Sequence, residues 1–186
     1  MSQSNLKFEF ANILYNHEAL YSQLVASANR GSTDGLKSAC NNFCLAAGVI
    51  SHLKKIVIPE LRSTPKDIDI ATLECLQLLL AQTQECYWHK AVIDRYRDAL
   101  IAKLVAQISD LYSSACNWSK KSQAISSKWI YYIMVKHYHF AAAAQYRQAH
   151  DCLEQRRYGE EVARLQDGLA CVNEALNKQN ILVRLF

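Results

Sequence analysis

The side chains most able to do chemistry in this 186-residue chain are its seven cysteines, at positions 40, 44, 75, 86, 116, 152 and 171, and its six histidines. Cys40 and Cys44 stand four apart and Cys86 and His89 three apart, so on a helix each pair shares a face and could give a metal two ligands. A structural zinc site needs four ligands, and no second pair of comparable spacing stands nearby. The cysteines therefore read as packing residues, a common use of buried thiols. His137 and His139 would point to different faces of a helix. No motif sets a histidine base beside a cysteine, and there is no glycine-rich phosphate loop or serine nucleophile elbow. Glu160 and Glu161 are adjacent and would splay apart. The pattern predicts no enzyme, no metal and no cofactor.

Long helices must carry these residues. A hydrophobic share of 51% with only 5 Gly and 2 Pro leaves too few turn residues for a strand-rich fold. The expected class is all-α, one domain burying roughly two thirds of the surface its unfolded chain exposes. The first helix covers about 5 to 28, with Phe10, Ile13, Leu14, His17, Leu20, Tyr21 and Leu24 recurring at helical intervals. Gly31 is expected to end it in a left-handed conformation, and Ser32 or Thr33 to cap the second, about 34 to 62. In that helix Ala39, Ala46, Ala47 and Gly48 allow close approach, and Pro59 bends or shortens the last turn.

Residues 63 to 69 read as a loop, and the third helix runs over about 71 to 92 with Leu73, Leu76, Leu79 and Leu80 buried. A break is expected near 93 to 97, although no Gly or Pro marks it. The fourth helix ends in the polar run from 113 to 121. The fifth spans about 126 to 155, with Ser126 and Ser127 as cap candidates. The sixth runs over about 160 to 177, Glu160 and Glu161 lying where the helix dipole favours acids. Residues 178 to 186 read as a divergent tail. Helix pairs with short turns suggest a tetratricopeptide-like solenoid of about six long antiparallel helices, without a strict 34-residue period.

One helix carries more apolar surface than packing on one neighbour requires. Ile101, Val105, Ile108 and Tyr112 form a row expected to face the core, and Ile93, Leu100, Leu104 and Leu111 lie roughly 60 to 100° away, bordered by Arg97 and Lys103. So broad an arc is either buried on both sides or partly open for a partner, and spacing leaves both readings standing. The net charge of +4 comes without a long basic block, which gives little support for nucleic acid or direct membrane binding. An odd cysteine count, no secretory segment and no apolar run of about 18 residues point to reduced thiols in the cytoplasm and to indirect membrane association.

Several stretches resemble one known family in that family's order. Gln84-Glu-Cys-Tyr-Trp-His-Lys-Ala91 and Asp98-Ala-Leu-Ile-Ala-Lys-Leu104 are similar to the central helices of the BRO domain, the module of ALIX and of the fungal pH-signalling protein PalA. Asn16-His-Glu-Ala-Leu-Tyr-Ser-Gln-Leu24, Asp34-Gly-Leu-Lys-Ser-Ala39, Phe140-Ala-Ala-Ala-Ala-Gln-Tyr146 and Tyr158-Gly-Glu-Glu-Val-Ala-Arg-Leu165 resemble it as well. Cys40-Asn-Asn-Phe-Cys-Leu-Ala-Ala-Gly48 and Lys136-His-Tyr-His-Phe140 are most similar to the PalA branch.

The resemblance implies a non-catalytic ESCRT scaffold that binds the C-terminal amphipathic helix of an ESCRT-III filament subunit and is recruited from the cytoplasm to endosomes. It puts the partner-binding positions at Tyr87, Lys90, Leu100 and Leu104, with Lys37 contributing from the second helix. In PalA-like members it further implies ambient-pH signalling, with a transcription factor and a calpain-like protease as partners through a downstream arm. It covers about residues 8 to 175 and only the central part of the domain, so 1 to 186 reads as a single partial BRO domain. The isolated chain is then expected to be marginally stable or to self-associate, because a solenoid's end faces need capping. The alternative function is a generic tetratricopeptide-like adaptor gripping a peptide through Tyr131, Tyr132 and Tyr138.

Overall fold

The computed structural model describes residues 6–60, 69–76 and 78–185, so the expected loop at 63 to 69 falls, apart from Asp69, outside the described residues. The elements are α1 (Leu6–Ser27), α2 (Thr33–His52), a π turn (Leu53–Val57), a 3₁₀ turn (Ile58–Glu60), α3 (Ile70–Cys75), α4 (Leu78–Ile93), α5 (Asp98–Ser119), α6 (Ser127–Glu154) and α7 (Tyr158–Arg184). The fold is all-α. Each long helix packs chiefly on its neighbour, α1 on α2, α2 on α4, α4 on α5, α5 on α6 and α6 on α7, the contact pattern of a helical solenoid.

The turns show how the stack is punctuated. Ser32 caps α2, its hydroxyl accepting from the Gly35 N–H at 3.1 Å, which satisfies one orphan donor of the first turn. A Cβ on Gly35 would lie 1.8 Å from the Asn29 carbonyl oxygen, so this turn closes only around a residue without a side chain. Gly31 is not left-handed, contrary to expectation; Asn29 Oδ1 instead accepts from its N–H at 3.0 Å. Pro59 does disturb the end of the second helix. The α pattern stops at His52, and a π turn and then the 3₁₀ turn holding Pro59 take over, because the ring lacks a donor and crowds the preceding carbonyl.

The expected third helix is two pieces. Leu76 has ψ −10° and accepts from the Leu79 N–H at 3.0 Å, and after this turn Leu78 and Leu79 are buried while Leu80 is exposed. Asp69 caps α3 through Ala71 N–H at 3.0 Å and Thr72 at 2.7 Å, and Ser122 donates to the same carboxylate from the α5–α6 turn. The Ser122 and Thr72 hydroxyls hold the Asp69 carboxyl below the usual carboxylate range.

The break at 93 to 97 is where it was expected, and an arginine makes it. Arg95 has φ 55°, its N–H donating to the Val92 carbonyl at 3.1 Å and the Tyr96 N–H to the Ala91 carbonyl at 3.0 Å. This is a Schellman closure with Arg in the place glycine usually takes. Arg156, φ 58°, closes α6 the same way, with the Arg157 N–H donating to the Cys152 carbonyl at 2.8 Å.

Two cores follow. Ala39, Phe43, Ala46 and Ile50 of α2 pack with Ala11 and Val25 of α1 and with Leu73 and Leu79; Ile101, Val105, Ile108 and Tyr112 of α5 pack with Cys75, Leu78, Ile133 and Phe140. Gly48 is exposed, so the close approach expected of it is made by Ala39, Ala46 and Ala47 instead. In α1 the inward residues are Ala11, Glu18 and Val25, with Leu14 and Tyr21 partly buried, and Phe10, Ile13, Leu20 and Leu24 face outward. Residues 178 to 184 continue α7, with Lys178 paired to Glu174 at 3.2 Å.

Candidate functional site

The site begins at the two rows of α5. Ile101, Val105, Ile108 and Tyr112 are at most 2% exposed, whereas Leu100, next to Ile101, is 46% exposed. Leu104 is intermediate, lying partly against the second core with Trp88. The broad arc is thus divided: one row is sealed, the other is open at Leu100 and partly buried at Leu104 and Leu111, and Ile93, cut off by the turn at Arg95, belongs to α4 and not to this helix.

The sealed row ends in a polar network that positions α4. The buried Tyr112 hydroxyl donates to Glu85 Oε1, and Lys136 Nζ from α6 reaches the two oxygens of that carboxylate at 3.2 and 3.1 Å. Burial, then the neighbouring Glu85 charge, pushes the Tyr112 phenol far above its ordinary value. These bonds fix the rotation of α4, and two residues on, about 200° around the helix, Tyr87 faces outward. On the open side Gln84 donates to Gln107 at 3.1 Å, tying the edge of α4 to the helix that carries Leu100 and Leu104.

Lys37, Tyr87 and Lys90 come together although they stand on two helices. With Leu36, Cys40, Asn41, Cys44 and Cys86 they line a cleft of about 290 Å³ between α2 and α4. Leu100 and Leu104 do not line it; they stand on α5, which packs against α4. Lys90 Nζ pairs with Asp94, just past the end of α4, at 2.7 Å and Lys37 with Asp34 of α2 at 3.7 Å, so both ammonium groups are held at the surface by acids close by in the chain. The hydrogen bond and charge of Asp94 raise the Lys90 pKa. Burial pushes the Cys40 thiol up, and hydrogen bonding with Cys40 raises the Tyr87 phenol. At neutral pH the cleft is therefore an apolar, thiol-lined slot with a cation on each side.

Of the two pairs with metal-like spacing, Cys40 and Cys44 line the cleft together with Cys86, whereas His89 does not line it. Cys86 is buried while His89 is exposed and stacks on Trp88 at 5.8 Å. Cys44 is exposed, its Sγ 3.9 Å from the Thr83 hydroxyl. The His137 ring is engaged by Ser109 at 2.9 Å, and burial lowers the pKa of His139, with the Lys136 charge acting in the same direction. Tyr131, Tyr132 and Tyr138 are half-buried, Tyr132 against the second core, which leaves them little surface for gripping a peptide. A larger cavity of about 620 Å³, absent from the sequence reading, lies between Glu18, Arg30, Phe43, Leu79 and Trp129. Burial raises the Glu18 carboxyl there, partly offset by the Ser22 hydroxyl at 3.0 Å. The sequence reading also passed over Gln84 and Gln107; polar residues at the end of an exposed apolar row are the signal that would have marked them.

Comparison with known proteins supports one assignment. The model of the BRO1-like domain matches residues 1–184. The pH-response regulator protein palA/RIM20 of Emericella nidulans is 56% identical over 186 residues, 99% of this chain and 22% of the relative. The palA/prr-1 protein of Neurospora crassa is 58% identical over 179 residues, 95% of this chain and 21% of that protein. The solved ALIX BRO1 CHMP4C complex aligns with a TM-score of 0.87 at 32% identity, covering 95% of this chain and 50% of the solved one. The chain thus spans about a fifth of the length of these two curated relatives. With a family match along nearly its whole length and the same helical stack, the chain belongs to the BRO1-like domain family.

Proposed function

We propose that this chain is a non-catalytic, ESCRT-associated scaffold that binds the C-terminal amphipathic helix of an ESCRT-III filament subunit, in a PalA-like role in fungal ambient-pH signalling and endosomal sorting. The observation that carries the reading is the half-exposed Leu100, beside the sealed Ile101, on a helix packed against the one bearing Tyr87 and Lys90. An amphipathic helix lays its i, i+3, i+4 and i+7 anchors on such a row while its acids meet cations at the rim. Leu100 and Leu104 take the apolar anchors, Tyr87 gives an amphipathic ring, and Lys37 and Lys90 exchange their own aspartates for acids of the partner. Those local pairs lie at the surface, hence are weak and readily exchanged. The similar ALIX BRO1 domain was solved with CHMP4C, which supports the same class of partner here.

No helix among the described residues is long and apolar enough to cross a membrane. Under this reading the chain is cytoplasmic and reaches endosomes through its filament partner. The transcription factor and calpain-like protease of the pH pathway join through the longer relatives. The test is fluorescence anisotropy of a labelled peptide from the C-terminal helix of a fungal ESCRT-III filament subunit, titrated with wild type, Leu100→Asp and Leu104→Asp, each checked for helicity. Binding by wild type and its loss in folded variants is the expected result. A folded wild type without binding, or variants that bind equally well, overturns the proposal.

A further inference from the structure

The groove between α4 and α5 carries one polar step in an otherwise apolar floor. The two helices run antiparallel through the turn at Arg95, and the Gln84–Gln107 hydrogen bond fixes which positions stand opposite each other. Equal steps from that bond set Tyr87 opposite Leu104 on the side toward the turn and Leu80 opposite Leu111 on the far side, because residues three and four apart share a helix face. Leu80 is 41% exposed and Leu111 is partly buried against the second core, so apolar surface resumes beyond the glutamines. The bond uses one N–H of Gln84 and the carbonyl of Gln107. The other Gln84 N–H, the Gln84 carbonyl and both Gln107 N–H groups have no partner among the described residues.

We propose that this polar step sets the register of the docked helix: the partner carries, inside its apolar stripe, one side chain that both donates to and accepts from the Gln84–Gln107 pair, and an apolar anchor beyond it on Leu80 and Leu111. Such a register presupposes that this face docks a helix, as proposed for Leu100 and Leu104. A covering helix strips water from the glutamines, and amide groups left with neither water nor a partner are costly. A leucine laid over the pair therefore weakens binding, whereas a glutamine or asparagine supplies both a donor and an acceptor. A single polar residue in a helical seam fixes register in the same way, since a slip along the groove buries it against leucine. Without the pair, evenly spaced leucines would accept the partner at several offsets.

Fluorescence anisotropy with two labelled amphipathic helices tests the register. They share leucine anchors and an acidic flank and differ in one central stripe residue, Gln or Leu; the ESCRT-III peptide is titrated alongside, and the helicity of each protein variant is followed by circular dichroism. Wild type is expected to bind the Gln helix at least roughly fivefold more tightly than the Leu helix, and the Gln84→Leu/Gln107→Leu double variant to reverse that order. Leu80→Asp is expected to weaken binding of the Gln helix at least roughly tenfold. Equal binding of the two helices by wild type, binding of the ESCRT-III peptide alone, an order unchanged in the double variant, or a Leu80→Asp variant that binds as wild type does each overturns the register and leaves the docking face standing. A folded wild type that binds neither designed helix nor the ESCRT-III peptide overturns the docking face, and the register with it.

Discussion

The two apolar rows of α5 share one helix and the same kinds of residue, yet Val105 and Ile108 are wholly buried while Leu100 is nearly half exposed. What separates them is their neighbours. The buried row meets Ile133 and Phe140 of α6 and Cys75 and Leu78 across the stack, and its last member, Tyr112, is locked to Glu85 and through it to Lys136. The open row borders a hydrogen bond between two glutamines and stands on the helix beside a lysine-flanked cleft. Under the proposed function Leu100 completes its burial on the partner helix.

If the rows differ as described, substitutions in them should separate stability from binding. The largest stability effect is expected for Ile108→Ala, which opens a cavity in a fully buried site and should lower the unfolding free energy by about 2–5 kcal/mol in urea titration. Tyr112→Phe comes next, because it removes a donor from the partly buried Glu85 carboxylate. A loss of about 1–3 kcal/mol is expected, with the fold retained.

The same residue predicts a pH dependence whose sign follows from its raised phenol pKa. Above about pH 10 the unfolded chain loses this proton while the folded chain keeps it, so wild-type stability falls as pH rises further, and Tyr112→Phe should lose less over that range. Unfolding titrations at neutral pH and at pH 10 to 11 would show the difference.

Leu100→Ala is expected to change stability by less than about 1 kcal/mol while weakening peptide binding at least roughly tenfold. A stability loss as large as that of Ile108→Ala would erase the distinction between the rows. The smallest change is expected for Lys90→Ala: an unaltered melting temperature, with peptide affinity reduced roughly threefold at low salt and a shallower dependence on salt.

Much of the stack was legible because a 3.6-residue period marks long helices and their sealed faces, as in Ile101, Val105, Ile108 and Tyr112. Where a helix has two apolar faces the period cannot choose between them. In α1 it favoured the larger residues Phe10, Ile13, Leu20 and Leu24, yet Ala11, Glu18 and Val25 turn inward, since α2 presents Ala39, Phe43 and Ala46 at the contact. The turn at Arg95 had no glycine to announce it because an arginine holds the left-handed conformation, at a local cost of roughly 1–2 kcal/mol met by the surrounding packing. The break at Leu76 was invisible because leucines continue through it.

The site was less legible than the fold. Nothing in local spacing joins Lys37 to Tyr87 and Lys90; the crossing of α2 and α4 does, and the family resemblance supplied the pairing in its absence. Cys40 and Cys44 offered a metal-like spacing that the structure spends on the wall of the cleft.

The central claim, that the open row of α5 and the adjoining cleft bind a helix, is tested most directly by amide hydrogen exchange of the chain with and without the ESCRT-III peptide at saturating concentration. Slowed exchange in α4 and α5 between Gln84 and Gln107, with a second region in α2 around Lys37 to Cys44, is the result this account predicts. Slowing confined to α6 around Tyr131 to Tyr138, with α4 and α5 unchanged, would contradict it and place the peptide on the tyrosine face.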